Sequence, residues 1–200
     1  MEFKLIKPSE ENNKKLFTIL GNPGKAKTTL ASTFPKPLFI RTEDGSSTLE
    51  NKETEVLLMP LIENKDSDGM LGYDMFMKQL RWVYSGEHDR ETLVIDSVTA
   101  LNKFVESKIL DGTGKNMATV EGGFATGYKM CADKHQEILD ICKKIGKHRN
   151  MTIVFIAHLE IEKTERPDTI AYTSYSIDLN KRSKNVYINN VDFVGFVKEN

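Results

Sequence analysis

The chain has 200 residues, 39% of them hydrophobic, and a formal net charge of −1. That length and apolar content suit a single domain with a substantial core. The near-zero charge excludes a global basic field, so any nucleic-acid contact must come from a local patch. The cysteines, Cys131 and Cys142, fall eleven residues apart in one helical pattern. That is roughly 16 Å of helix rise, too far for a disulfide or a shared metal. They read as packing residues in a reducing compartment. No apolar run reaches bilayer-spanning length, and the N-terminus lacks a signal-peptide core. A soluble, cytoplasmic protein with no membrane contact is expected.

Residues 1–15 are a polar lead-in, and residues 16–200 read as one domain. "LFTIL" (16–20) is a buried strand, followed by the loop "GNPGKAKT" and a helix over "TTLASTF", which Pro35 and Pro37 end. "PLFI" (37–40) and "EVLLMPL" (55–61) are further strands, and "ENKDSDG" is a loop. Tyr73, Phe76, Met77, Leu80 and Val83 form a helical stripe that "SGEHD" stops. "TLVID" (92–96) is a strand. Val98, Leu101, Val105 and Ile109 then line one face of a helix with Ser97 as its N-cap. Residues 112–128 carry five glycines and predict a flexible loop. Ile138, Ile141, Cys142 and Ile145 mark the clearest helix, with Lys143 and Lys144 in its last turn and Gly146 closing it. "MTIVFIAH" (151–158) is a strand, the polar stretch after it has room for hairpins, and "DFVGFV" (192–197) is a last strand.

Apolar strands alternating with helices predict an α/β domain: a mostly parallel sheet with helices on both faces. Ligands of such sheets bind beyond the carboxyl ends of the strands. The residues at those ends are 21–29, 43–44, 96–97 and 158, and they carry the chemistry.

Gly21, Asn22, Pro23, Gly24, Lys25, Ala26, Lys27 and Thr28 follow the G-x-x-x-x-G-K-[ST] phosphate-loop pattern, except that Ala26 replaces its second glycine. Glycines let backbone N–H groups wrap phosphate oxygens. Lys27 would neutralise the β- and γ-phosphates of ATP, Thr28 would ligate Mg²⁺, and Thr29 would hold the α-phosphate side. At Ala26 two readings stand. A methyl group crowds the loop, or the loop uses dihedrals that alanine tolerates. The rival to the whole assignment is a strand–turn–helix joint with a chance lysine. Asp96 ends an apolar strand and pairs with Thr28 on a neighbouring strand end as the second Mg²⁺ residue; its plainer role is a helix cap. Glu43 would orient and deprotonate water, with Asp44 the adjacent alternative; the plainer reading is a solvated loop acid. His158 either senses the γ-phosphate or is a hydrogen-bonded sheet-edge histidine. His88, His135 and His148 read as surface residues.

With these residues in place, the chain resembles the phage-type RecA-like P-loop ATPases linked to recombination and single-strand annealing. The likeness runs from Leu16 to Val197 through "GNPGKAKTTLASTFPKPLFIRTEDG", "TLVIDSVTAL", "GGFATGYKMCADKHQEILDICKKI" and "TIVFIAHLE". It implies a RecA-like core that hydrolyses ATP with Mg²⁺, with Lys27, Glu43, Asp96 and His158 as the catalytic set. It also implies a homo-oligomer with a basic residue supplied in trans, for which "NKRSKN" offers Lys181, Arg182 and Lys184. Single-stranded DNA and a phage single-strand-binding protein are the implied partners. Phe124 and Tyr128 could stack bases, with Lys115 and Lys129 on phosphates; the plainer reading is a loop leading into a helix. One alternative is a nucleotide-dependent binding module with little turnover that recruits a protein. A phosphotransferase would need an arginine-rich lid, whereas Arg41, Arg81, Arg90, Arg149, Arg166 and Arg182 are scattered.

Overall fold

A computed structural model of the chain describes residues 15–24, 26–45, 49, 55–164 and 172–198. The polar lead-in up to residue 14 and Lys25 of the phosphate loop lie outside the described residues. The strands are β1 (Leu16–Gly21), β2 (Pro37–Arg41), β3 (Leu57–Leu58), β4 (Thr92–Asp96), β5 (Thr152–Thr164), β6 (Tyr172–Ile177) and β7 (Phe193–Phe196). The helices are α1 (Lys27–Ala31), α2 (Gly72–Ser85), α3 (Val98–Leu110), α4 (Thr126–Arg149) and α5 (Lys181–Asn189). The sheet runs β3-β2-β4-β5-β1-β7, parallel at every pairing, and β6 pairs antiparallel with the far half of β5.

The central strands are buried on both faces, which is why "TLVID" and "TIVFIA" read as unbroken apolar runs. Alternation divides their side chains. Leu93, Ile95, Ile153 and Phe155 enter the larger core with side chains from α2, α3, α4 and α5. Val94, Val154 and Ile156 face the other way, against Ala31 of α1 and Leu49. The expected α/β architecture with helices on both faces is present, with the two faces unequally covered among the described residues.

Several expectations need correction. The helix after the phosphate loop is only five residues long, and the third strand contributes only Leu57 and Leu58. Gly146 does not close α4. It is buried inside the helix, where a Cβ would meet Met151 O at 3.2 Å and Ile153 Cγ1 at 3.5 Å. Asn150, at φ 56°, takes the left-handed closing position instead. β1 and β4 are not neighbours, because β5 lies between them.

The polar stretch after β5 holds the expected hairpin but also α5. Asn180 caps that helix by accepting from Arg182 N and Ser183 N at 3.2 and 3.1 Å. Lys184 lies on its buried side and pairs with Glu160 and Glu162 of β5. His135 is not a surface residue; it has no exposed area. Its Nδ1 bonds the Tyr187 hydroxyl at 2.9 Å and its Nε2 bonds Asn102 Oδ1 at 3.1 Å, joining α3, α4 and α5. Burial pushes its pKa down to about 4.

Gly127 lets the loop after α3 close against α4. A Cβ there would lie 2.4 Å from Met117 O and 2.7 Å from Val120 Cγ1. Gly127→Ala is expected to cost about 1–3 kcal/mol of stability, seen as a lower urea midpoint with an unchanged slope.

Candidate functional site

The parallel register brings the carboxyl ends of four strands to one rim. Gly21 lies beside His158, Arg41 beside Asp96, and Asp96 beside Ile156. Thr42 fastens two of these tips together. Its backbone N–H donates to Asp96 O at 2.8 Å, its hydroxyl donates to Ser97 O at 2.7 Å, and the same oxygen accepts from Ser97 N at 2.8 Å. Ser97 also caps α3, accepting from Ala100 N at 3.2 Å. The Asp96–Ser97 peptide is cis.

Between the tips lies a cleft of about 310 Å³. Pro23, Gly24, Ala26, Lys27, Thr28 and Thr29 line it from the loop and α1. Glu43, Asp44, Gly45, Asp96 and His158 line it from the other tips. Gly21 and Asn22 stand behind the lining. A Cβ on Gly21 would press on Val197 O and the Lys27 stem at 3.2–3.3 Å, so this glycine allows close approach within the protein. Asn22 O accepts from Lys27 Nζ at 2.8 Å.

Gly24, at φ 73°, turns the loop without strain. Ala26 has φ 54° and ψ 16°, squarely left-handed. The loop therefore does not use dihedrals that alanine tolerates. An L-residue there carries a strain of about 1–2 kcal/mol, and glycine is the residue that would relieve it.

Lys27 is 6% exposed although it lines the cleft. Burial pulls its pKa down, and the charges of Asp96 and Glu43 oppose that pull. Thr28 Oγ1 donates to Asp96 Oδ2 at 2.8 Å, so the two proposed Mg²⁺ residues touch across the width of β5. Asp96 is 5% exposed. Burial first, with help from the Glu43 charge, lifts its pKa from 3.8 to about 6, against the Thr28 hydrogen bond and the Lys27 and His158 charges.

Glu43 and His158, read separately in the sequence, are direct partners: Nε2 and Oε1 lie 2.7 Å apart. Burial works to raise the Glu43 pKa, but hydrogen bonds to His158 and Ser97 and the charges of His158 and Lys27 together bring it below its ordinary value. His158 N donates to Thr99 Oγ1 at 2.9 Å, which fixes the strand end. Thr42, Thr99 and Gly45 were missed as members of this rim. The signal for the first was "RTEDG", a polar cluster directly after an apolar strand.

The cleft pairs a buried ammonium with an ionisable carboxylate and a hydroxyl in contact, the donor set for a phosphate chain and a hard cation. No group of three or more His, Cys, Asp or Glu among the described residues could hold a metal ion alone. A cation here would therefore depend on phosphate and water oxygens, as Mg²⁺ does in nucleotide sites. No helix among the described residues is long and apolar enough to cross a membrane. A family model described as an AAA domain matches residues 13–200. No curated protein matches the chain.

Two stability measurements on the nucleotide-free protein test this geometry. Ala26→Gly should raise the unfolding free energy by about 1 kcal/mol, read from urea melts. Asp96→Asn should also stabilise. Asp96 ionises near 3.8 when unfolded and near about 6 when folded. The folded state therefore holds this proton more tightly, an advantage present below pH 3.8 and lost as pH rises through about 6. At neutral pH the buried carboxylate opposes folding by up to about 3 kcal/mol. In chelator, the gain from Asp96→Asn should be full at neutral pH and vanish in acid.

Proposed function

The chain belongs to the AAA domain family of P-loop ATPases, and on that premise we propose that it binds ATP with Mg²⁺, hydrolyses it, and uses the cycle on single-stranded DNA during phage recombination or strand annealing. The observation that carries the nucleotide half is the 2.8 Å contact between Thr28 and Asp96 in a cleft that Lys27 also lines. Lys27 would hold the β- and γ-phosphates, exchanging Asn22 O for phosphate oxygen. Thr28 and Asp96 would hold Mg²⁺, which would supply charge neutralisation at the phosphates. Glu43, kept ionised by its hydrogen bonds, would orient and deprotonate water. His158 would report the γ-phosphate to Glu43 through their shared hydrogen bond.

The nucleic-acid half rests on the sequence resemblance and on the loop before α4 together with the first turn of that helix. Phe124 of the loop is fully exposed, Tyr128 is 39% exposed, and Lys115 and Lys129 are exposed. These suit base stacking with phosphate contacts. An oligomer with ATP at subunit boundaries would draw its trans cation from Lys181 or Arg182, which are exposed. Lys184 is excluded from that task because it is held by Glu160 and Glu162 of its own chain.

A second reading, a nucleotide-dependent module with little turnover, is favoured by one observation: Ala26 sits at a left-handed position inside the loop. ATPase assays with and without single-stranded DNA over a salt series separate the two. DNA stimulation that fades with salt supports the motor; tight ATP binding without turnover supports the module. Lys27→Ala should abolish ATP binding or hydrolysis, and turnover that survives it would remove the phosphate-loop assignment. Glu43→Gln should leave ATP binding intact and lower kcat by about 10²–10⁴.

A further inference from the structure

The opposite rim of the sheet, where strands begin, carries a feature that the nucleotide site does not use. Two clefts lie side by side there. One, of about 500 Å³, is polar and is lined by His88, Arg90, His148 and Arg149, with Asp89 and Glu91 among its walls. The other, of about 400 Å³, is mostly apolar and is lined by Met77, Leu80, Tyr84 and Ile141, with Arg81 and Lys144 at its edge. The Tyr84 ring stacks on the His148 ring at 4.5 Å and 22°, so this pair forms the wall between the clefts. Trp82 stacks on His88 at 5.4 Å and 29° on the polar cleft's other flank. Trp82 and Tyr84 remain 44% and 42% exposed.

The charges leave the surplus positive. Asp89 is paired with Arg90 and Lys36, and Glu91 with Lys36. Arg149 gives one N–H to His88 O at 3.0 Å. Among the described residues, Arg81, Lys143, Lys144 and Lys147 have no ion-pair partner, and all four are exposed. Lys147, His148 and Arg149 occupy the last turn of α4 and complement its dipole. Arg81, Lys143 and Lys144 lie outside that turn, and a dipole does not ask for aromatic rings.

We propose that this rim is a second contact surface for single-stranded nucleic acid: a base enters the apolar cleft against Tyr84, and the flanking phosphates meet Arg81, Lys144 and the cationic side of the polar cleft. A flat apolar ring joined to an anion has the shape and charge of this adjacent pair of clefts, and single-strand surfaces combine cations with stacking aromatics in this way. The surface is separate from the 112–128 loop. Thr126 and Lys144 stand at opposite ends of about 27 Å of α4. It is also independent of ATP turnover, so its failure and that of the ATPase reading are distinguishable.

Trp82 is the chain's single tryptophan, and its emission reports the rim directly. The full chain, without nucleotide, is titrated with a labelled thymidine 20-mer while anisotropy and tryptophan emission are followed. Both signals should saturate together. Arg81→Ala/Lys144→Ala should weaken binding at least tenfold and reduce the log–log salt slope by about 1.4, as expected for two lost single-strand phosphate contacts. Tyr84→Ala should weaken binding by about tenfold with the salt slope kept; urea melts confirm that both variants fold. Three results would overturn the proposal: anisotropy rising with Trp82 emission unchanged, polyglutamate giving the same emission change at equal charge, or a free mononucleotide binding as tightly as the strand.

Discussion

The site depends on a hydrogen bond between residues whose strands do not touch. Thr28 reaches Asp96 at 2.8 Å although β5 separates β1 from β4. A strand spacing is near 4.8 Å, so the two chain ends start about 9–10 Å apart. The gap closes at α1, which packs against β5 as well as β1 and so carries Thr28 across. His158, at the tip of the strand being crossed, meets Glu43 from the loop after β2. One crossing thus brings four strand ends into contact.

That arrangement requires the tips to be rigid, and the rigidity comes from residues with no chemistry of their own. Thr42 ties β2 to β4 by three hydrogen bonds, and Thr99 holds the backbone of His158. Ser97 caps α3 and also bonds Glu43. Behind them the larger core packs four helices on one face of the sheet, while fewer of the described residues cover the face carrying α1. The short α1 therefore takes its position from the loop and Ala31 more than from its own length, since five residues are too few for an independent helix.

The sequence made the strand ends legible because a buried parallel strand is an apolar run that stops abruptly at a polar residue. "TLVID", "TIVFIAH" and "PLFIRTED" each stop on a residue that lines the cleft or adjoins it. The amphipathic helices α2, α3 and α4 were legible for the same reason, their buried positions recurring with the helical period. Strand order was not legible, because hydrophobic pattern carries no information about which strand lies beside which. Nor was α5. Its buried side includes Ser183 and Lys184, so apolar periodicity is absent, and its helix is held by the Asn180 cap and by Tyr187 meeting His135. His135 was misjudged by its polar neighbours in sequence; its actual neighbours, Tyr187 and Asn102, come from other helices.

Three unfavourable local terms meet in the cleft. Ala26 holds a left-handed backbone, Lys27 is a cationic residue only 6% exposed, and Asp96 keeps a carboxyl group whose pKa burial has lifted to about 6. The main core, by contrast, satisfies even its deepest histidine. Such a concentration is expected where a structure is shaped for a ligand it does not itself contain. Each term has a ligand-side answer: phosphate for the ammonium, a divalent cation for the carboxylate. Ala26 has none, because a phosphate does not relieve a Cβ clash within its own backbone. The strain at Ala26 is thus the one local cost in the cleft that nucleotide binding would leave in place, and it sets this loop apart from the glycine-containing pattern it otherwise follows.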